Sequence, residues 1–147
     1  MKKLNEQATR IFCGLLEKLK DQEYVQLKNV GHMPLSMEKI TDLIQTDEGP
    51  ATLYSLSHHY EQNGDLMYDP EVCFIVIDKR QHPKDYAAIH IYPQSFRQDN
   101  IGMQDESIHM SNDKITSFIK LWQEEHCLFA NLWLKNIKTH GFLNDKK

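Results

Sequence analysis

Residues 57–74 concentrate the side chains of this chain that can bind or catalyse. They combine two adjacent histidines and several acids with two strong turn signals, Asn63-Gly64 and Asp69-Pro70. Imidazole and carboxylate groups can transfer protons or bind metal ions, and tyrosines can anchor a protein partner. The candidate site residues of this segment are His58, His59, Tyr60, Glu61, Asn63, Asp65, Tyr68, Asp69 and Glu71.

The Asn63-Gly64 pair predicts a two-residue hairpin turn, because both residues tolerate the positive φ angles of a type I′ turn. Such a turn sets a register with these opposite pairs: Glu61 and Leu66, Tyr60 and Met67, His59 and Tyr68, and His58 and Asp69. Pro70 has no N–H to donate, so a bulge or a register change is expected at Asp69-Pro70. The register predicts a hydrogen-bonded His58–Asp69 pair on one face and a cluster of His59, Glu61 and Tyr68 on the other.

Three interpretations of this segment remain open. In the first it is a structural turn, in which Asp65 and Asp69 bond their own backbone and His58 is a satisfied inner-face histidine. In the second it is a binding surface with aromatic and apolar anchors and an acidic rim. In the third it is a metal or acid–base site that combines His58 or His59 with Asp65, Asp69 and Glu71.

The spacing of the histidines and cysteines argues against a metal site. Adjacent residues on a strand point to opposite faces, so His58 and His59 cannot easily bind one ion together. The sequence has no His-x-His, His-Glu-x-x-His or Cys-x-x-Cys spacing, and its 6 glycines form no phosphate-binding loop. We therefore expect the purified protein to hold no stoichiometric transition metal and no other cofactor.

Length and composition predict a single domain, residues 1–147, in the cytoplasm. The net charge of −4 disfavours strong non-specific nucleic-acid binding, because such binders carry an excess of Lys and Arg. The 3 separated cysteines are typical of free thiols in a reducing compartment. No apolar run resembles a signal peptide or approaches the roughly 20 residues of a membrane helix.

The apolar periodicity predicts a helix at each end with strands between them. The first helix spans residues 5–20 with Asn5 as its N-cap, and the last runs from Ser111 or Asn112 to about Thr139. Strands are predicted at residues 24–30, 33–40, 52–62, 71–78 and 87–93, the last of them ended by Pro93. Residues 33–45 also suit a helix capped by Ser36. Residues 94–111 are predicted to form a long loop.

These elements predict an α+β fold: a mostly antiparallel sheet of three to five strands, with an N-terminal helix and a long C-terminal helix. Three leucines of the last helix, Leu121, Leu128 and Leu132, lie outside its main apolar stripe. Burying a leucine is worth about 1.5–3 kcal/mol, so these side chains need a cover. Residues 94–111 folding back could supply part of it, and a homodimer through this helix could supply the rest.

The hairpin string also carries a resemblance. His59 to Met67, followed by Asp69-Pro70-Glu71, resembles the HYEQNGDLMxDPE signature of an uncharacterised bacterial domain family, frequent in Bacteroidetes and on plasmids and integrative conjugative elements. Tyr68 departs from it, since a basic residue is expected there. The resemblance implies a bacterial cytoplasmic setting and mobile-element biology, and it implies no mechanism.

Together these observations predict a small non-enzymatic accessory or interaction domain that binds an unknown protein partner through the 58–71 hairpin. The alternative is a metal-dependent hydrolase or nuclease that uses the hairpin acids and a histidine. A third hypothesis, a nucleic-acid accessory protein, requires four basic residues to gather on one face. They are Lys79, Arg80, Lys84 and Arg97.

Overall fold

The first helix forms where the apolar spacing predicts it. The computed structural model describes residues 1–144, and helix α1 spans Glu6–Leu19. The Asn5 side chain accepts a hydrogen bond from the Ala8 N–H at 2.8 Å, which satisfies one of the free N–H groups of the first turn. The predicted N-cap is therefore confirmed. The buried stripe of the helix includes Ala8, Ile11, Phe12, Leu15 and Leu19.

Eight strands and a second helix follow in the described part of the chain. They are β1 (Tyr24–Leu27), β2 (Leu35–Thr46), β3 (Gly49–Gln62), β4 (Asp65–Asp78), β5 (Ile89–Gln98), β6 (Met103–Glu106), β7 (Ile108–Ser111), β8 (Lys114–Phe118) and α2 (Lys120–Thr139). The strand order is β6-β5-β4-β3-β2-β8-β7, and β1 also pairs with β2. Every pair is antiparallel except β2 with β8, which run parallel where Gln45 meets Lys114.

This sheet corrects the predicted architecture. The chain is α+β overall, as predicted, but the sheet is mixed and has eight strands instead of three to five mostly antiparallel ones. The strands that the sequence analysis missed are β6, β7 and β8. All three have only 4 or 5 residues and mostly exposed or half-buried side chains, so they lack a clear alternation of buried and exposed positions.

Strand β5 continues through Pro93, where the sequence predicts its end. Pro93 pairs with Phe74 beside a register shift between Cys73 and Phe74. A bulge accommodates a residue that cannot donate to the ladder, so the strand goes on to Gln98. Residues 94–111, predicted to be a loop, therefore belong largely to β5, β6 and β7.

Helix α2 begins later than predicted. Asn112 and Asp113 do not cap a helix, because both have positive φ angles, 52° and 61°. They form a tight turn that joins β7 to β8. The helix starts at Lys120 behind Ile119, which offers no side-chain cap. Its end at Thr139 agrees with the prediction. Neither helix within residues 1–144 is long and apolar enough to cross a membrane.

The two faces of the sheet carry two separate cores. Helices α1 and α2 cover the face that we call the helix face, whose strand residues include Leu56, Val72 and Phe74. The opposite face, called here the open face, carries a second buried cluster. Its members are Ile44, Ala51, Leu53, Ile75, Ile77, Tyr92 and Ile108, with Met110 and Ile115 of the β7–β8 hairpin packed against them. That hairpin therefore covers one end of the open face.

The sheet curls so that the start of β7 returns to β5. The Ser107 N–H donates to the Gln94 carbonyl at 2.9 Å, and the Gln94 side chain donates to the Ile108 carbonyl at 2.9 Å. Gln94 and Ser107 are both buried. This contact closes the sheet over the second core and leaves the other end of the open face uncovered.

Candidate functional site

The β3–β4 hairpin has the predicted turn and register. Asn63 and Gly64 have φ angles of 53° and 84°, as a type I′ turn requires. The observed pairs next to the turn are Glu61 with Leu66, Tyr60 with Met67, and His59 with Tyr68. These three predicted pairs are confirmed. The predicted irregularity is also present, since the register shifts between Ser57 and His59, opposite Asp69 and Pro70.

His58 does not have the partner that the sequence predicts. Its Nδ1 lies 3.2 Å from the Met33 carbonyl and 3.3 Å from the Pro34 carbonyl, and these backbone contacts replace the predicted hydrogen bond to Asp69. The chain entering β2 supplies both carbonyls, and sequence spacing gave no sign of it. His58 and Asp69 still line one pocket on the helix face, of about 230 Å³.

Burial lowers the pKa of two histidines in this fold. His58 is packed against Trp133, with ring centroids 5.8 Å apart, and loss of solvent lowers its pKa although the two carbonyls oppose the shift. His126 contacts the Ser107 hydroxyl at 3.0 Å and stacks on Phe96, and burial lowers its pKa too. Both imidazoles are therefore neutral in the folded protein near pH 7.

We expect the free energy of unfolding to fall as the pH drops below about 6.5, the usual histidine pKa. Because the folded-state pKa values are lowered, the unfolded chain binds protons more readily, and protonation favours unfolding. The stabilisation is complete above the unfolded pKa and is lost as the pH falls from there towards the folded pKa. Urea denaturation at several pH values between 8 and 5 measures the effect.

Two variants test whether the buried histidine His126 contributes to this pH dependence. His126→Gln should reduce the dependence to the part that His58 contributes, while His82→Gln, at an exposed loop position, should leave it unchanged. Equal pH dependence in wild type and His126→Gln would show that His126 does not contribute.

The hairpin divides the predicted site residues between the two faces. His58, Tyr60 and Asp69 belong to the helix face, whereas His59, Glu61, Tyr68 and Glu71 belong to the open face. Asn63 and Asp65 are exposed at the turn. The nine residues therefore do not form one site. The hairpin contributes to two different surfaces.

Three open-face members, His59, Tyr68 and Glu71, meet further side chains in a small depression, which we call the polar hollow. Its volume is about 110 Å³, and its lining residues are Tyr24, Ser36, Glu38, Ser55, Ser57, His59, Leu66, Tyr68 and Glu71. The residues from β1 and β2 and the two serines of β3 are not among the site residues predicted from the sequence. The alternation of faces along a strand could have identified the three serines. Ser36 follows buried Leu35, and Ser55 and Ser57 flank buried Leu56, so the serines lie on the opposite face from these leucines.

A hydrogen-bond network connects one side of the polar hollow. The Ser36 hydroxyl lies 2.9 Å from His59 Nε2 and 3.0 Å from the Tyr24 hydroxyl. On the other side Ser55 donates to the Glu71 carboxylate at 2.5 Å. These contacts fix the rotamers of the lining side chains, so the polar hollow is preorganised.

Tyr68 lines the polar hollow, and contacts with Arg97 and Asp99 hold it in position. The Arg97 guanidinium lies 4.7 Å from its ring centroid and pairs with Asp99 at 2.7 Å. Asp99 in turn accepts the Tyr68 backbone N–H at 2.9 Å, and its hydrogen bond from Arg97 lowers the pKa of its carboxyl group. Burial and the negative charge of Glu71 raise the pKa of Tyr68. The phenol therefore stays protonated.

The arrangement suits binding better than nucleophilic catalysis. Ser36 and His59 are a Ser–His pair, but no carboxylate among the described residues hydrogen-bonds His59, and Ser36 is only 7% exposed. A catalytic serine needs an oriented base and access to substrate. Burial also raises the pKa of the nearby Cys73 thiol to about 11, so it is no thiolate nucleophile.

Two of the four basic residues of the nucleic-acid hypothesis, Arg80 and Arg97, are engaged in separate ion pairs. Arg80 pairs with Asp78 at 2.8 Å, and Arg97 pairs with Asp99 beside Tyr68. These ion pairs offset part of the positive charge that a nucleic-acid surface would need. Within residues 1–144, no group of three or more His, Cys, Asp or Glu residues is placed to hold a metal ion.

Comparison with known proteins gives one match. No curated protein and no solved structure matches the chain. A family model described as a domain of unknown function, DUF6908, matches residues 7–143. The match covers all eight strands, α2 and nearly all of α1. The expectation of an uncharacterised domain family is thus confirmed, and the chain belongs to the DUF6908 family of domains of unknown function.

Proposed function

We propose that this chain is a small non-enzymatic interaction domain whose working surface is the open-face side of the 58–71 hairpin. The polar hollow is the centre of that surface. The signature at residues 59–71 extends the proposal to an accessory role in the bacterial cytoplasm, associated with mobile elements.

The negative charge of the polar hollow is the main support for this proposal. Two carboxylates, Glu38 and Glu71, line it, and its lining within the described chain includes no Lys or Arg. Arg97, which is opposite Glu71 in the β4–β5 ladder, is already paired with Asp99 and stacked on Tyr68. A positively charged group is therefore the complement of this surface.

The size and walls of the polar hollow define that group further. A volume of about 110 Å³ is well below the roughly 300–1,000 Å³ of pockets for small organic ligands. It fits the end of one side chain. The ring of Tyr24 can contact a cation by its face, and the ring of Tyr68 can do so by the face that Arg97 does not occupy. Leu66, 49% exposed, can contact the aliphatic stem. We therefore propose a protein partner that inserts an arginine or lysine side chain.

A titration with a model side chain tests this function. In ¹H–¹⁵N NMR spectra, N-acetyl-arginine amide should shift the backbone amides of Glu38, His59 and Glu71. N-acetyl-citrulline amide, which has nearly the same shape without the charge, should not. Weak binding in the millimolar range is expected, because one side chain supplies only part of an interface.

Matched carboxylate variants complete the test. Glu38→Gln combined with Glu71→Gln should weaken binding of the arginine probe about tenfold, an effect of roughly 1.4 kcal/mol. Glu17→Gln, at an exposed position of α1, should change binding little. No arginine-dependent shifts at these residues, or unchanged binding in the double variant, would refute the proposed role of the polar hollow.

A further inference from the structure

The outward face of α2 carries an apolar stripe that its own chain leaves uncovered. Leu121, Leu128 and Leu132 are 64%, 65% and 60% exposed. Their spacing of seven and four residues places them on one side of the helix. The cover predicted from residues 94–111 is absent, because those residues form β5, β6 and β7 elsewhere in the sheet.

The stripe is not a set of scattered surface residues. Single exposed leucines are ordinary in folded proteins, but these three lie in a row on the side of α2 opposite its buried residues. The buried side includes Cys127, Ala130, Leu134 and Ile137. Partly exposed Trp122 adds further apolar surface beside the start of the row. A row of three exposed leucines with a charged border marks an interaction surface.

The charged side chains along the exposed face of α2 are acidic in its N-terminal half and basic in its C-terminal half. Glu124 and Glu125 lie in the N-terminal half, and Lys135 and Lys138 lie in the C-terminal half. Lys120 is the first residue of α2 and lies beyond the stripe. Two copies aligned in parallel would bring like charges to the same level, which is unfavourable. Two antiparallel copies would bring acids opposite lysines.

An antiparallel pairing also aligns two of the three leucines. If the two-fold axis lies at the level of Ala130, Leu128 of one copy is opposite Leu132 of the other. Glu124 of one copy then lies beside the interface on the same side as Lys135 of the second copy. Their positions along the helix axis differ by about one residue. Because a two-fold axis repeats every contact, the leucine contact and the Glu124–Lys135 contact each occur twice in the dimer.

We propose that the occupant of this stripe is a second copy of the chain, which packs α2 against α2 in antiparallel orientation. This inference is independent of the function proposed above, because α2 covers the helix face and the polar hollow lies on the open face. The dimer leaves both polar hollows free, so it presents two binding surfaces to a partner.

Sedimentation equilibrium of the full chain between about 1 and 100 µM tests the dimer. We expect a species of twice the 17.3 kDa chain mass in the upper part of this range. Leu128→Glu combined with Leu132→Glu should raise the dissociation constant at least about 100-fold. Leu43→Glu should leave it unchanged, because Leu43 is equally exposed at 62% but lies in β2. Circular dichroism confirms that each variant is folded.

A charge exchange tests the orientation. Lys135→Glu should weaken the dimer, and adding Glu124→Lys should restore it, because the exchanged charges complement each other again only in an antiparallel pair. A wild-type monomer at 100 µM, or a dimer that survives the double leucine substitution, would overturn the proposal. A double charge variant no stronger than Lys135→Glu would overturn the antiparallel arrangement.

Discussion

Phe74→Ala is expected to lower the free energy of unfolding by about 3–5 kcal/mol, the usual cost of removing a buried phenylalanine. Phe74 is fully buried on the helix face at the centre of β4. Its ring meets Phe12 of α1 edge-on, with centroids 5.0 Å apart. The substitution therefore loses the buried apolar surface and an aromatic pair that joins the first helix to the sheet.

Urea denaturation followed by tryptophan fluorescence measures this loss. Typical domains have a total stability of about 5–15 kcal/mol, so the variant should unfold at much lower urea concentration. Leu43→Ala is the control, because it removes an apolar side chain that is 62% exposed on the same sheet. Its effect should stay within about 0.5 kcal/mol. Similar losses in both variants would mean that Phe74 is not part of the main core.

Gln94→Leu is expected to cost about 1–3 kcal/mol, because it leaves a buried carbonyl without its donor. The Gln94 side chain donates to the Ile108 carbonyl at 2.9 Å, and both residues are buried. This bond holds the start of β7 against β5 and so keeps the β7–β8 hairpin over the second core. Leucine preserves the approximate size of the side chain but cannot donate.

Hydrogen exchange distinguishes this local effect from a general loss of stability. The amides of β7 and β8 should exchange faster relative to those of β3 and β4, because the hairpin loses an attachment. Gln104→Leu makes the same chemical change at an exposed position of β6, so it should alter neither the stability nor the pattern. Unchanged β7 exchange in Gln94→Leu would show that the side-chain bond does not hold this hairpin.

The parts of the fold that the sequence determined by itself are those with local causes. Helix α1 needs only an apolar repeat and an Asn5 cap that bonds three residues ahead. The register next to the β3–β4 turn follows from Asn63-Gly64, because two adjacent residues with positive φ leave few ways for the strands to pair.

The start of the last helix was mispredicted because long-range strand pairing outweighs the local helix signals there. Ile115, Phe118 and Ile119 are spaced as on one side of a helix, and Asn112 resembles an N-cap. The tertiary structure instead stabilises the Asn112-Asp113 turn and pairs β8 with β7 and β2. Long-range hydrogen bonds to other strands outweigh helix propensity, and single-sequence spacing contains no information about them.

The candidate site shows the same division between local and distant causes. Among the residues selected from the sequence, His59, Tyr68 and Glu71 do line the polar hollow. Their relation to each other follows from the hairpin register. Ser36 and Glu38 of β2 join them only because β2 pairs with β3 across a long sequence separation. The sequence therefore determined which residues face each other within the hairpin, while tertiary pairing alone decided which distant side chains complete the polar hollow.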